Sequence, residues 1–130
     1  MKSMLKILTD IFLRDEFMII IKYSIDLEEI KNMLGNFFPE MVKGVVDIEK
    51  KYLALDAELH SDLEALLIEN GSSQRDLWGI NIYPELEDED FIEFDSLINI
   101  RPIDNNRTRY VEDENIRNDI INIVNNIVKR

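Results

Sequence analysis

Apolar side chains at Met4, Leu5, Leu8, Ile11 and Phe12 recur every three to four positions, which predicts a short amphipathic helix over residues 3–13. A strand over 18–23 follows. The strongest patterning starts there, so residues 1–17 are expected to be an accessory helix or extension, and residues 18–130 one domain. Asp26 with Glu29 three positions on has the form of a capping box. Leu27, Ile30 and Leu34 supply the buried stripe of that helix, and Gly35 its stop. The runs 42–48 and 52–57 flank Glu49-Lys50-Lys51 and predict a β-hairpin. Ser61 with Glu64 reads as a second capping box, opening a helix with Leu63, Leu66 and Leu67 on its buried side and Asn70-Gly71 at its end. Residues 73–77 add a further helical turn.

Residues 80–83 and 91–101 then predict two more strands across an acidic loop. In the second, Ile92, Phe94, Ile98 and Ile100 fall on one face and Glu93, Asp95, Asn99 and Arg101 on the other. Ile116, Ile120, Ile123, Val124 and Ile127 form the cleanest helical stripe, with acids before it and Lys129 and Arg130 after it to complement the helix dipole. Helices interleaved with hairpins, not regular βαβ units, imply an α+β fold. We expect an antiparallel or mixed sheet of four to five strands with helices packed mainly on one face. The other face is then left for solvent, a dimer contact or a ligand.

Composition narrows the function more than the fold. The 130 residues carry 15 basic and 27 acidic side chains, a net −12, and this field repels phosphate backbones and anionic lipid. Nucleic acid is therefore disfavoured as a partner. The third reading, RNA held by the arginine loop and Trp78, has the overall charge against it. There is no cysteine, which removes thiol catalysis, disulfides and cysteine metal sites and fits a reducing cytoplasm. The longest uncharged apolar run, residues 17–21, is far too short for a membrane span, and Asp10 and Arg14 interrupt any signal-peptide core. The expected location is cytoplasmic, with no membrane partner.

A single histidine, His60, excludes every two-histidine metal site and obliges any Ser-His-Asp device to use it. Its neighbour Ser61 is better explained as a cap, and no Gly-x-Ser-x-Gly occurs. In an extended segment Glu58, His60 and Asp62 would share a face. With Asp47 and Asp56 from the hairpin, they suggest a divalent-metal set of Asp47, Glu58 and His60. The competing view makes Asp62 only a first-turn helix acid. Asn81, Asn99 and Arg101 form a second polar set, either a wet sheet face or a hydrogen-bonded cluster suited to an anion. Trp78, the only tryptophan, reads first as a packing anchor and second as a stacking surface. The four glycines, at 35, 44, 71 and 79, make no phosphate-binding loop.

The elements Glu58-Leu59-His60, residues 71–81 with Trp78-Gly79-Ile80-Asn81, Asn99-Ile100-Arg101-Pro102 and Asn106-Arg107 resemble those of a small prokaryotic family known only as a domain of unknown function. The resemblance runs from about Met41 to the C-terminus. It departs at Asp56-Ala57, where glycines are expected, and at Asp104-Asn105, where the loop is usually smaller or less charged. No reaction comes with it; it implies a cytoplasmic protein whose signature residues coincide with the polar set. The leading expectation is a non-enzymatic binding or interaction module for a protein partner or a second copy of itself. It needs no cofactor and uses Trp78, Asn81, Asn99, Arg101, Asn106 and Arg107. The alternative is a metal-dependent hydrolase or phosphodiester-processing enzyme on Asp47, Glu58 and His60, with a divalent metal as its cofactor.

Overall fold

A computed structural model describes residues 16–130, so the helix expected over 3–13 lies outside the described residues. Five antiparallel strands form one sheet in the order β1 (Ile19–Ile21), β4 (Tyr52–Leu55), β3 (Val42–Asp47), β5 (Leu77–Ile82) and β6 (Ile92–Glu93). The hairpin β3–β4 is the one expected. Asp47 closes its turn by accepting the Glu49 and Lys50 amides at 2.9 Å each, and Lys51 takes the left-handed conformation at φ 60°. A separate parallel pair, β2 (Ile25–Asp26) with β7 (Val128–Lys129), ties the start of helix α1 (Leu27–Lys31) to the end of helix α3 (Glu114–Ile127).

Side-chain alternation sends Val42, Val46, Leu53, Leu55, Trp78, Ile80 and Ile82 to one sheet face, where Ile30 of α1 and Ile120, Ile123, Val124 and Ile127 of α3 pack on them. Asp113 caps α3 by accepting the Asn115 and Ile116 amides. Two of the three helices among the described residues thus share a face, as the pattern leads one to expect. The third, α2 (His60–Glu69), sets Leu63 and Leu67 against Val45, Ala54 and Leu77 on the opposite face. The segment after β6 continues that cover, with Ser96 and Ile98 against Gly79. The sheet face expected to be open is therefore occupied. This explains why β3 and β5 are buried almost throughout rather than at alternate positions.

Three local expectations are corrected. Helix α2 begins at His60 with Leu59 as its cap residue, so Ser61 lies inside the first turn and makes no cap. Asp26 precedes α1 but its side chain makes no capping bond either, and α1 stops at Lys31 rather than running to Gly35. The strand expected over 91–101 pairs as a strand at Ile92–Glu93; a 3-10 turn at Leu97–Asn99 interrupts the rest, and a second at Pro102–Asp104 follows it. The reason is competition from side chains: Ser96 Oγ accepts the Ile98 amide and starts the first turn, and Pro102 sits at the start of the second.

Candidate functional site

The expected polar set surrounds this irregular segment. Asn99, fully buried, takes the place of a strand beside β5. It accepts the Gly79 N–H at 2.8 Å and donates to Gly79 O and to Arg109 O, both at 3.0 Å. Asn106, also buried, donates to the carbonyls of Asn99, Thr108 and Tyr110 at 2.7, 3.0 and 2.7 Å and accepts the Glu112 amide at 2.9 Å. Arg101 and Asn106 are bridged through their backbones, and Asn105 turns the chain at φ 59°, a conformation asparagine tolerates. Residues 96–110 are thereby fixed without belonging to a sheet. Outward the segment presents Leu97, Ile100 and Ile103, which are 67, 41 and 93% exposed, together with the exposed polar side chains of Asp104, Asn105, Arg107, Thr108 and Arg109.

Arg101 lies along the inside of the segment, its side chain only 11% exposed and its guanidinium carbon 3.9 Å from the Trp78 ring centre. Nη1 donates to Gln74 O at 2.7 Å, and Nε lies 3.7 Å from Asp104. Burial lowers its pKa against the opposing pull of Asp104, Glu64 and Asp76. Trp78 is buried, so the packing role expected first is the one its surroundings fit. Arg107 is exposed, and Arg109 pairs with Asp95 at 2.6 Å.

A second polar group sits further along β5. Asn81, opposite Lys43 of β3, donates to Glu93 Oε1 at 2.8 Å and to Asp95 O at 3.2 Å, while its own oxygen is buried without a partner. His60 Nε2 lies 2.8 Å from Ile80 O; a carbonyl can only accept, so Nε2 carries the proton. The three candidate metal ligands do not assemble around it. Asp47 is fully buried, with Oδ1 holding the hairpin turn and Oδ2 accepting Ser72 Oγ at 2.6 Å. It lies four residues along β3 from Lys43, the residue opposite Asn81, which is about 13 Å of strand. Glu58 is on the surface, and among the described residues no three His, Asp or Glu side chains are gathered to hold a metal. The metal-dependent reading gains no geometric support.

His60 has a measurable consequence. Burial pushes its pKa down to about 4 from an ordinary 6.5; the Ile80 carbonyl, Asn81 and Asp95 pull upward and Lys43 pushes down. The unfolded chain takes up the proton first, so stability is full above pH 6.5 and is lost as pH falls towards 4. Between pH 7.5 and 5 the loss through this group is about 2 kcal/mol. The Asp56 and Glu64 carboxyls, raised chiefly by burial, act in the opposite sense, so the contrast between wild type and His60→Gln isolates the histidine. Urea unfolding at the two pH values should give wild type the steeper decline; equal declines would refute the assignment.

The alternation over 91–101 puts Ile100 on one face with Ile92 and Phe94, so the exposed tip is not legible from that pattern. Pro102 and the Asn105-Asn106 pair were the signals for a turn there. Among the described residues no helix is long and apolar enough to cross a membrane. Comparison with curated proteins finds no match, and comparison with solved structures finds none. A family model does match, over residues 19–127, and so takes in β1 and α1 as well as the part from Met41 onward that carries the resemblance in sequence. That span takes in nearly all of the described fold, with the buried asparagines, Trp78 and Arg101 inside it, and the chain belongs to the family described as protein of unknown function (DUF5674).

Proposed function

We propose that this protein is a non-enzymatic binding module of the cytoplasm that associates through residues 96–110, with a second copy of the chain as its first partner. The observation that carries this reading is the exposure of Leu97, Ile100 and Ile103 on a segment whose backbone is anchored by buried Asn99 and Asn106. Fixing a loop in advance lowers the entropy lost when it binds, and exposed apolar side chains on a fixed loop are what a contact surface requires. Trp78, Asn81, Asn99, Arg101 and Asn106 serve as the frame, and Arg107 stands on the contact side. The net charge of −12 opposes self-association only weakly at this surface. Arg109 is balanced by Asp95, exposed Arg107 stands on the same segment as exposed Asp104, and screening at physiological salt acts over about 8 Å. Residues 18–130 constitute the module, with 1–17 an accessory to it.

Sedimentation and native mass spectrometry of the full chain test the reading. Wild type should show a concentration-dependent dimer, and Leu97→Asp/Ile103→Asp should be monomeric, with the melting temperature of wild type diluted to monomer. Both side chains are solvent-exposed, so their replacement removes no core packing. A double variant that dimerises as wild type does would overturn the assigned surface. A wild type monomeric at every concentration would overturn self-association.

A further inference from the structure

On the other side of Tyr110, between α1, α3 and residues 84–94, runs an open groove of about 1110 Å³. Its floor is apolar, built from Leu27, Leu86, Phe91, Phe94, Tyr110 and Ile121, with Leu86 and Tyr110 each about half exposed. Among the described residues its walls carry Glu85, Glu87, Asp88, Glu89 and Glu93 against two cations, Lys31 and Arg130. Those two show what the groove accepts. The Arg130 guanidinium lies 4.3 Å above the Phe91 ring centre, and Lys31 Nζ is 4.0 Å from Glu85. Glu93 is engaged by Asn81 and Tyr83 and Glu85 by Lys31, which leaves Glu87, Asp88 and Glu89 as exposed carboxylates beside the apolar surface.

We infer that this groove docks a basic, amphipathic peptide segment of a protein partner. Arginine or lysine side chains of the segment would lie along the carboxylates, and a large apolar side chain would rest between Leu86 and Tyr110. The spacing of the charge selects this occupant. No three acidic side chains among the described residues gather to coordinate a metal ion, so the negative charge is spread along the groove and matches a chain of cations rather than one. A nucleic acid or anionic lipid surface would be repelled, and a purely apolar segment would leave the carboxylates facing it without partners. The surface is distinct from the tip of the 96–110 segment, and the inference does not depend on self-association there.

The test is fluorescence anisotropy of the full chain with a labelled synthetic peptide of alternating arginine and leucine. Companion peptides carry serine for leucine or glutamate for arginine. The variant Glu85→Lys/Glu87→Lys/Glu89→Lys reverses the groove, and Glu49→Lys/Asp62→Lys/Glu69→Lys makes the same change in net charge at exposed positions elsewhere. Saturable binding should weaken by about tenfold or more in the groove variant and by less than about threefold in the control, and should fall with the serine and glutamate peptides. In wild type, amide NMR shifts on titration should concentrate at Phe94, Tyr110 and Ile121, a readout that does not require any variant to fold. Equal weakening in the two variants would reduce the effect to bulk charge and overturn the inference. So would undiminished binding of the serine peptide, shifts elsewhere, or absence of binding to wild type.

Discussion

Replacing Asn106 by aspartate is expected to destabilise this protein by about 4 kcal/mol, close to the cost of leaving an uncompensated charge in a protein interior. The Asn106 amide nitrogen shares its two hydrogens among three carbonyls within 3.0 Å, and its oxygen accepts the Glu112 amide. A carboxylate has the same shape but no hydrogen to give, so an anionic oxygen would face three carbonyl oxygens in a site that is 3% exposed. Asn106→Ala leaves the same carbonyls unsatisfied without adding charge and should cost less, about 2 to 3 kcal/mol. For a domain of this size, the aspartate variant should melt about 15 °C lower. The introduced carboxyl should have a raised pKa in the folded state, so its penalty should shrink as pH falls through that value, which the alanine variant should not show. Thermal melts of both variants at pH 7 and pH 5 decide the matter: an aspartate variant as stable as wild type at pH 7 would mean that the three carbonyls find other partners.

The same asparagine illustrates how far the chain could be read before its structure. The hairpin at β3–β4 was legible because two short apolar runs flank the charged turn Glu49-Lys50-Lys51, and helix α3 because it carries a sustained 3.6 period with acids before it and bases after it. Residues 91–101 also alternate, yet the alternation is accidental. Ile92 and Phe94 pack against the α3 side of the sheet, Ile98 against the α2 side, and Ile100 is exposed. Ser96, Asn99 and Pro102 each offer the backbone something other than a ladder, and together they outweigh the pattern. Asn81, Asn99 and Arg101 are polar residues on expected strands, yet their hydrogen-bond partners lie 10 to 27 positions away, whereas Asn106, marked only by the family resemblance, holds a loop whose carbonyls are two to seven positions from it. Gly79 and Asn99 are twenty positions apart, and no local rule joins them. Likewise His60 and Asp47 share a residue class, not a location, because the register of β3 on β5 separates them.

Gly79→Ala is the second change with a large expected effect, about 3 kcal/mol, and it comes from space rather than from backbone freedom. A methyl group at this position would lie 2.5 Å from Ser96 Cβ, 2.6 Å from Ser96 Oγ and 3.1 Å from Ile98 Cγ1. Ser96 is fully buried and its backbone N–H is held by Arg109 O at 3.1 Å, so the clash has no flexible side-chain end to move aside. Relief requires residues 96–99 to withdraw from β5. Withdrawal stretches both hydrogen bonds between Asn99 and Gly79 and disturbs the Asn106 bond to Asn99 O in turn. One methyl group should therefore unseat the segment that carries Leu97, Ile100 and Ile103, and under the proposed function it should weaken dimerisation as well as folding. Ser96→Gly deletes the atoms in closest conflict. It has its own cost through the lost Ile98 cap and a more flexible backbone, but in the double variant it should return more than half of what Gly79→Ala removes. A double-mutant cycle from urea unfolding measures that coupling. Costs that simply add would show that the close approach of Ser96 to Gly79 is not what fixes the segment, whereas strong coupling would tie the exposed apolar tip to a single missing side chain on β5.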